Sequence, residues 1–239
     1  MALLRVENVC KSFFGNLAVD HASLNVEEKS ITALIGANGA GKTTLFNCIS
    51  GYYPSNGGEI YFEDKPVHHL SAQKLCKKGI ARTFQIAKPF GDLTVLENAV
   101  VGGYNQAQTR AQAYEYAKES LVFVGLEEKS DTLAYLLNTG EQRKLELARA
   151  LATKPKLILL DEVMAGLTPS ESVEMVGLIK QIRDSGVTIL MIEHVMPVIM
   201  GISDVIYVLD RGKMIASGTP EEVASNEEVI TSYLGKGME

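Results

Sequence analysis

The stretch Gly36-Ala37-Asn38-Gly39-Ala40-Gly41-Lys42-Thr43 has the spacing Gly-x4-Gly-Lys-Thr, and its residue types suit the wrapping of a phosphate. Glycines leave backbone N–H groups open to an anion because no Cβ blocks the approach. An apolar run, Ile31 to Ile35, delivers the chain to this turn, and a helix-like run from Thr44 to Ser50 leaves it. The positive end of that helix dipole and the Lys42 ammonium then act on one anion, with the Thr43 hydroxyl available to Mg²⁺. The expected nucleotide cradle is Gly36, Asn38, Gly39, Ala40, Gly41, Lys42, Thr43 and Thr44.

A second group of residues could act on that phosphate. Leu157-Ile158-Leu159-Leu160 is a strand-like run that ends in Asp161-Glu162. Carboxylates beside an apolar core are costly unless they have work or partners. Asp161 is read as a Mg²⁺ holder, usually through water, and Glu162 as the group that polarises the attacking water. His194 follows another apolar run, Val187 to Ile192, and can hydrogen-bond the γ-phosphate or that water. In open α/β sheets, ligands bind outside the carboxyl ends of the strands, which would gather these groups at one edge. His21, His68 and His69 have no such placement and are read as structural. Leu137-Asn138-Thr139-Gly140-Glu141-Gln142 opens a helix from Arg143 to Ala152, and small polar residues there make a second anion-ready N-terminus.

The elements that must position these residues alternate between strand-like and helix-like, which predicts an α/β fold with a largely parallel sheet. Short alternating strands fill the chain up to about Lys29, and Glu59 to Phe62, Val205 to Leu209 and Met214 to Ala216 read as further strands. Between Leu93 and Thr153 helical spacing dominates, as in Ala107 to Val124. Thr168-Pro169-Ser170-Glu171 predicts a helix start, with Thr at the N-cap, Pro at the first position and Glu at the third, running to about Asp184.

At 239 residues, with 46% hydrophobic and 22% charged residues, the chain has the composition of a globular protein with a substantial core. A net charge of −6 argues against general nucleic-acid binding. Cys10, Cys48 and Cys76 are odd in number and lack paired ligand spacing, so free thiols in a reducing cytosol are expected and a zinc site is not. No signal peptide is read, and no apolar run approaches membrane-spanning length.

Taken together, these motifs resemble the nucleotide-binding subunit of an ATP-binding cassette (ABC) transporter, over essentially the whole chain. The resemblance implies a P-loop NTPase (RecA-like) α/β core with an N-terminal antiparallel β subdomain and an inserted helical subdomain. It places the core in residues 1–92 and 154–239 and the helical signature subdomain in 93–153. It makes Gln85 the Q-loop glutamine, a catalytic and Mg²⁺-associated group, and His194 the switch histidine. It also makes Asn138, Thr139, Gly140 and Glu141 the nucleotide-binding signature, and Phe13 the aromatic that stacks on adenine. Gly79 to Gln85, Leu93 to Asn98, Met200 to Asp204, Gly218 to Val223 and Tyr233-Leu234-Gly235 resemble the branched-chain amino-acid importer ATPases. Against the usual Leu-Ser-Gly-Gly-Gln signature, Asn138 replaces Ser, Thr139 replaces Gly and Glu141 replaces Gln. Val163 stands for the usual Pro, Thr168 for Asp or Asn, and Val195 for Asp.

The implied function is ATP hydrolysis with Mg²⁺, shared across a head-to-tail dimer with a second, identical or non-identical, ATPase subunit. The loop Ile86 to Asp92 would pass movement to a membrane permease, which a solute-binding protein supplies, so the chain would sit on the inner face of the cell membrane. Urea, amides or another solute are alternative cargoes. A soluble ABC ATPase of translation or DNA repair, a P-loop kinase and a regulator without catalysis are the alternatives in other classes.

Overall fold

The computed structural model describes residues 2–85 and 88–231. In chain order the elements begin with β1 (Ala2–Phe13), β2 (Asn16–Glu27), β3 (Ile31–Ile35), α1 (Lys42–Ile49), β4 (Gly57–Phe62) and β5 (Lys65–Pro66). Next come α2 (Ala72–Lys78), β6 (Ile80–Arg82), α3 (Val95–Gly103), α4 (Arg110–Val124), α5 (Thr139–Ala152), β7 (Leu157–Asp161) and α6 (Pro169–Asp184). The chain continues with β8 (Thr188–Ile192), α7 (Met196–Ile202), β9 (Val205–Asp210), β10 (Lys213–Gly218), α8 (Pro220–Ala224) and α9 (Glu227–Val229).

Two compact units divide these elements, residues 1–72 with 183–239 and residues 73–182. In the first unit, β2-β1-β4-β5 form an antiparallel sheet. Its long β1–β2 pair is bent by register shifts near Val9, where extra residues increase the local twist. The same unit holds β10-β9-β3-β8, in which β3 runs parallel to both β8 and β9. β3 and β8 are buried along their whole length, as continuous apolar runs require.

The second unit pairs β6 with β7 in parallel, and β7 is buried at every residue. The alternating pattern of the sequence thus becomes parallel strands, while its N-terminal strands become an antiparallel layer. β6 carries no signal in the sequence pattern, since three residues leave little periodicity to detect. Helices α3, α4 and α5 pack on one another, and close approach needs glycine: a Cβ on Gly102 would meet the Arg149 carbonyl and one on Gly103 that of Ala113. The division by composition marks where helices dominate; the division by contact also takes β6, β7 and most of α6 into the second unit.

The helix starts follow side-chain chemistry. Thr168 N donates to Glu171 Oε2 (2.8 Å) and Glu171 N donates to Thr168 Oγ1 (3.3 Å), the expected capping box at α6. Reciprocal boxes also open α3 (Thr94, Glu97) and α5 (Asn138, Glu141). Buried Asn98 ties down the chain before α3, accepting from Phe90 N (2.8 Å) and donating to Phe90 O (3.0 Å) and Thr94 O (2.9 Å). Among the described residues, no helix is long and apolar enough to cross a membrane.

Candidate active site

In the first unit, β3 ends at Ile35 and the chain turns through Gly36, Gly39 and Gly41, with φ of 152°, 82° and 105°. These angles lie where side chains are strained, which explains the glycine spacing. Substitution is blocked twice over: a Cβ on Gly36 would fall on the Leu209 carbonyl and one on Gly41 on that of Ala18. Gly39 instead faces open space, and Ala37, Asn38 and Gly39 are exposed. The loop is therefore packed at its base and accessible at its crest.

Helix α1 starts at Lys42 without a side-chain cap, in contrast to α3, α4 and α5. Its first backbone N–H groups thus remain for a ligand, and the dipole favours an anion there. The Lys42 ammonium is buried and donates to Gly36 O (2.7 Å) and Ala37 O (3.0 Å). A phosphate would replace these neutral acceptors with charged ones, a stronger hydrogen bond. Thr43 is exposed and Thr44 half-buried on the first turn.

The other first-unit groups fall as the topology requires. His194 follows β8, whose Ile192 pairs with Leu34 of β3, so His194 and the phosphate loop leave adjacent parallel strands at the same edge. His194 is exposed, whereas Glu193 before it is buried. Phe13 ends β1 and is half-buried, its ring edge-on to Tyr53 at 5.4 Å. Lys11 lies over both rings, 5.1 Å from Phe13 and 5.7 Å from Tyr53, with its Nζ donating to Pro54 O at 2.8 Å. Sequence reasoning missed this support, because the contacts join residues some forty positions apart.

In the second unit, Gln85 and the Asp161-Glu162 pair follow the parallel partners β6 and β7. Gln85 Nε2 donates to Glu162 Oε2 at 2.8 Å. Asp161 is buried; its Oδ2 accepts from Arg82 Nη2 at 2.9 Å, and its backbone N–H donates to Thr83 Oγ1 at 3.2 Å. Glu162 has φ of 50°, unusual for a residue with a side chain.

The start of α5 carries the signature-like residues. Asn138 Oδ1 accepts from Glu141 N at 2.9 Å, and Glu141 Oε2 accepts from Asn138 N at 3.1 Å. Glu141 also pairs with Lys129. Burial pushes the Glu141 carboxyl up, but Lys129 and the Asn138 N–H outweigh it and hold the group below its usual value. A carboxylate at this position thus comes with its own countercharge and a capping task. Thr139 is exposed and Gly140 buried, where a Cβ would press to 2.6 Å from the Glu171 carboxylate.

Two charged residues on α5 escaped the sequence reading. Arg143 and Glu146 are both buried and grip the backbone around Phe84 and Gln85. A signal was present: Arg143, Glu146, Leu147 and Ala150 share one helical stripe, and opposite charges on an otherwise apolar stripe mark a buried pair. Burial raises the Glu146 carboxyl above its usual value, against the opposing pull of the Phe84 N–H and Arg143.

Cys10, Cys48 and Cys76 are free thiols. Burial pushes Cys48 up to about 11 and also raises Cys76. Cys10, Asp20 and His21 bring their ligand atoms within 4.8 Å of one another. The Asp20 carboxylate there already meets His21 (2.6 Å) and Lys213 (3.3 Å), which hold it below its usual value. Ile86, Ala87 and the Tyr233-Leu234-Gly235 tail lie outside the described residues.

Comparison with known proteins agrees with this geometry. A family model described as ABC transporter matches residues 19–165, and one described as branched-chain amino acid ATP-binding cassette transporter matches residues 213–239. The chain is 41% identical to the high-affinity branched-chain amino acid transport ATP-binding protein LivG of Salmonella typhimurium, over 98% of both chains. It is 39% identical to BraF of Pseudomonas aeruginosa, of the same description, again over 98% of both. A crystal structure of a nucleotide-free ATP-binding cassette from an ABC transporter superposes with a TM-score of 0.89 at 32% identity, covering 98% of this chain and 99% of that one.

Proposed function

The chain belongs to the ABC transporter family as an ATP-binding ATPase, and we propose that it energises an importer of branched-chain or related amino acids. The observation that carries the cargo is likeness to LivG and BraF along the whole chain, tail included. The hydrolytic reading rests on the site residues themselves.

In this reading the triphosphate lies against the glycine loop and the uncapped start of α1, with Lys42 moving from loop carbonyls to the β- and γ-phosphates. Phe13, steadied by Tyr53 and Lys11, stacks on adenine. Glu162 takes the proton of the water that attacks the γ-phosphorus as the bond to the β–γ bridging oxygen breaks and ADP leaves, and Gln85 fixes the carboxylate for that task. His194 donates to the γ-phosphate or to the water. Mg²⁺ is a hard ion that takes oxygen ligands, and this chain offers the Thr43 hydroxyl, the Asp161 carboxylate and the Gln85 amide oxygen. These donors fit: Gln85 spends its N–H on Glu162, and Arg82 holds one Asp161 oxygen. When bound, the ion would neutralise charge on the β- and γ-oxygens.

One chain supplies one phosphate loop and one signature, so the working unit is a head-to-tail pair with a second ATPase subunit. Asn138, Thr139, Gly140 and Glu141 close over the nucleotide of the other chain. The pair docks on permease subunits at the inner face of the membrane, and a solute-binding protein delivers cargo to them. Glu162→Gln tests the chemistry: turnover falls at least about a hundredfold while ATP binding persists. Unchanged turnover sinks the assignment. Uptake of labelled leucine, compared with urea, by vesicles of the assembled transporter tests the cargo.

A further inference from the structure

Glu162 sits in a backbone conformation, φ 50°, that a side-chain-bearing residue holds only when its surroundings impose it. Gln85 and Ala165 both restrain it. Gln85 Nε2 donates to its carboxylate at 2.8 Å, and Ala165 N donates to its backbone carbonyl at 3.1 Å. The carbonyls of those same two residues converge on one guanidinium: Arg143 Nη2 donates to Gln85 O at 2.6 Å and to Ala165 O at 3.4 Å. Arg143, Gln85, Glu162 and Ala165 therefore close a ring of hydrogen bonds.

Nη1 adds a bond to Phe84 O at 3.1 Å, and Glu146 binds Phe84 N at 2.7 Å and Arg143 at 3.4 Å. The charge of Arg143 is thus buried and balanced within α5 itself. Only a planar, multi-donor cation can serve three carbonyls in this way; a lysine ammonium is a point donor on a flexible stem. Five residues earlier on the same helix, Asn138 forms the N-cap that would face nucleotide.

We propose that Arg143 is a positioning residue that ties the signature helix to the catalytic carboxylate, a proposal that rests on reading Glu162 as the base. A displacement of α5 moves the Gln85 and Ala165 carbonyls together, and with them the restraints these residues place on Glu162. The signature would thereby set the geometry of the base as well as contact nucleotide.

The test is ATP turnover per bound nucleotide by the full chain carrying Arg143→Lys, Arg143→Gln, Gln85→Ala or Arg143→Gln with Gln85→Ala. The expected result is a drop in kcat of about tenfold for Arg143→Gln with KM for ATP within about twofold, and a double variant little worse than the poorer single one. Full kcat in Arg143→Lys, or a double loss equal to the product of the single losses, overturns the proposal. If Arg143→Gln does not fold, Arg143→Lys, which keeps the charge beside Glu146, carries the test alone through the same kcat and KM readout. Glu162→Gln measured in parallel separates the two readings: turnover that survives it removes the base, whereas lost turnover with an additive Arg143–Gln85 pair removes only the ring.

Discussion

Gln85 Nε2 stands 2.8 Å from Glu162 Oε2, so an amide from the end of β6 holds a carboxylate from the end of β7. Such a donor fixes the direction of the carboxylate. Gln85→Ala removes that restraint and lowers kcat by about tenfold, with little change in ATP affinity. Gln85→Glu is worse, because a second carboxylate gives Glu162 no hydrogen bond and repels it. Steady-state kinetics of the wild type and the two variants check this; a kcat for Gln85→Glu at or above that of Gln85→Ala refutes it.

Glu141 gives the stability of the fold a pH dependence. Burial works against ionisation, but Lys129 and the Asn138 N–H prevail, and the folded value lies below the ordinary 4.5. Stability from a lowered carboxylate is present above the unfolded value and is lost as pH falls through the folded one. In Glu141→Gln the amide keeps the cap but loses the Lys129 pair. At pH 7 the loss is no more than about 1 kcal/mol, since the pair is partly exposed. Melting temperatures measured from pH 7 down to 3 should converge for the two proteins at the acid end. A constant gap across that range contradicts the assignment.

The phosphate loop was legible because its determinants are local: glycines forced by positive φ, followed by a helix that begins at Lys42. The α6 cap was legible for the same reason, all its partners lying within four residues. The strand-end acids were legible because an apolar run ending in two carboxylates asks for a partner. What escaped was the identity of those partners. Arg82 meets Asp161, and Arg143 meets the Gln85 carbonyl, across more than fifty residues of chain. The long-range Arg143 contacts are to backbone atoms, which no pattern of residue types records. Lys129, the countercharge of Glu141, lies in a short turn at Glu127–Lys129 that carries no periodic signal.

Two glycines should respond to alanine in opposite ways. Gly41 has φ of 105° and no room for a Cβ beside the Ala18 carbonyl, so Gly41→Ala distorts the loop and abolishes ATP binding. Gly177 lies inside α6 with an ordinary helical φ, and a Cβ there would meet nothing within 4 Å. Gly177→Ala restricts the unfolded chain and favours helix, raising stability by about 0.5–1 kcal/mol. Urea denaturation read by circular dichroism gives the second value, and nucleotide binding the first. A destabilised Gly177→Ala contradicts the open face.

Arg82 and Asp161 make an ion pair at 2.9 Å whose side chains are 10% and 3% exposed. The Arg82 guanidinium also lies 5.3 Å from the Phe84 ring, so it packs as well as pairs. Removing one member of a buried pair leaves the other charge without compensation, typically at about 3–5 kcal/mol. Arg82→Met keeps much of the volume and loses the charge, so any large cost is electrostatic. Lysine at position 82 keeps the charge but not the planar fork, and should fall between the two. Chemical denaturation of wild type, Arg82→Lys and Arg82→Met at pH 7.5 separates these effects. An Arg82→Met protein as stable as wild type at pH 7.5 shows that the pair does not hold Asp161 in place.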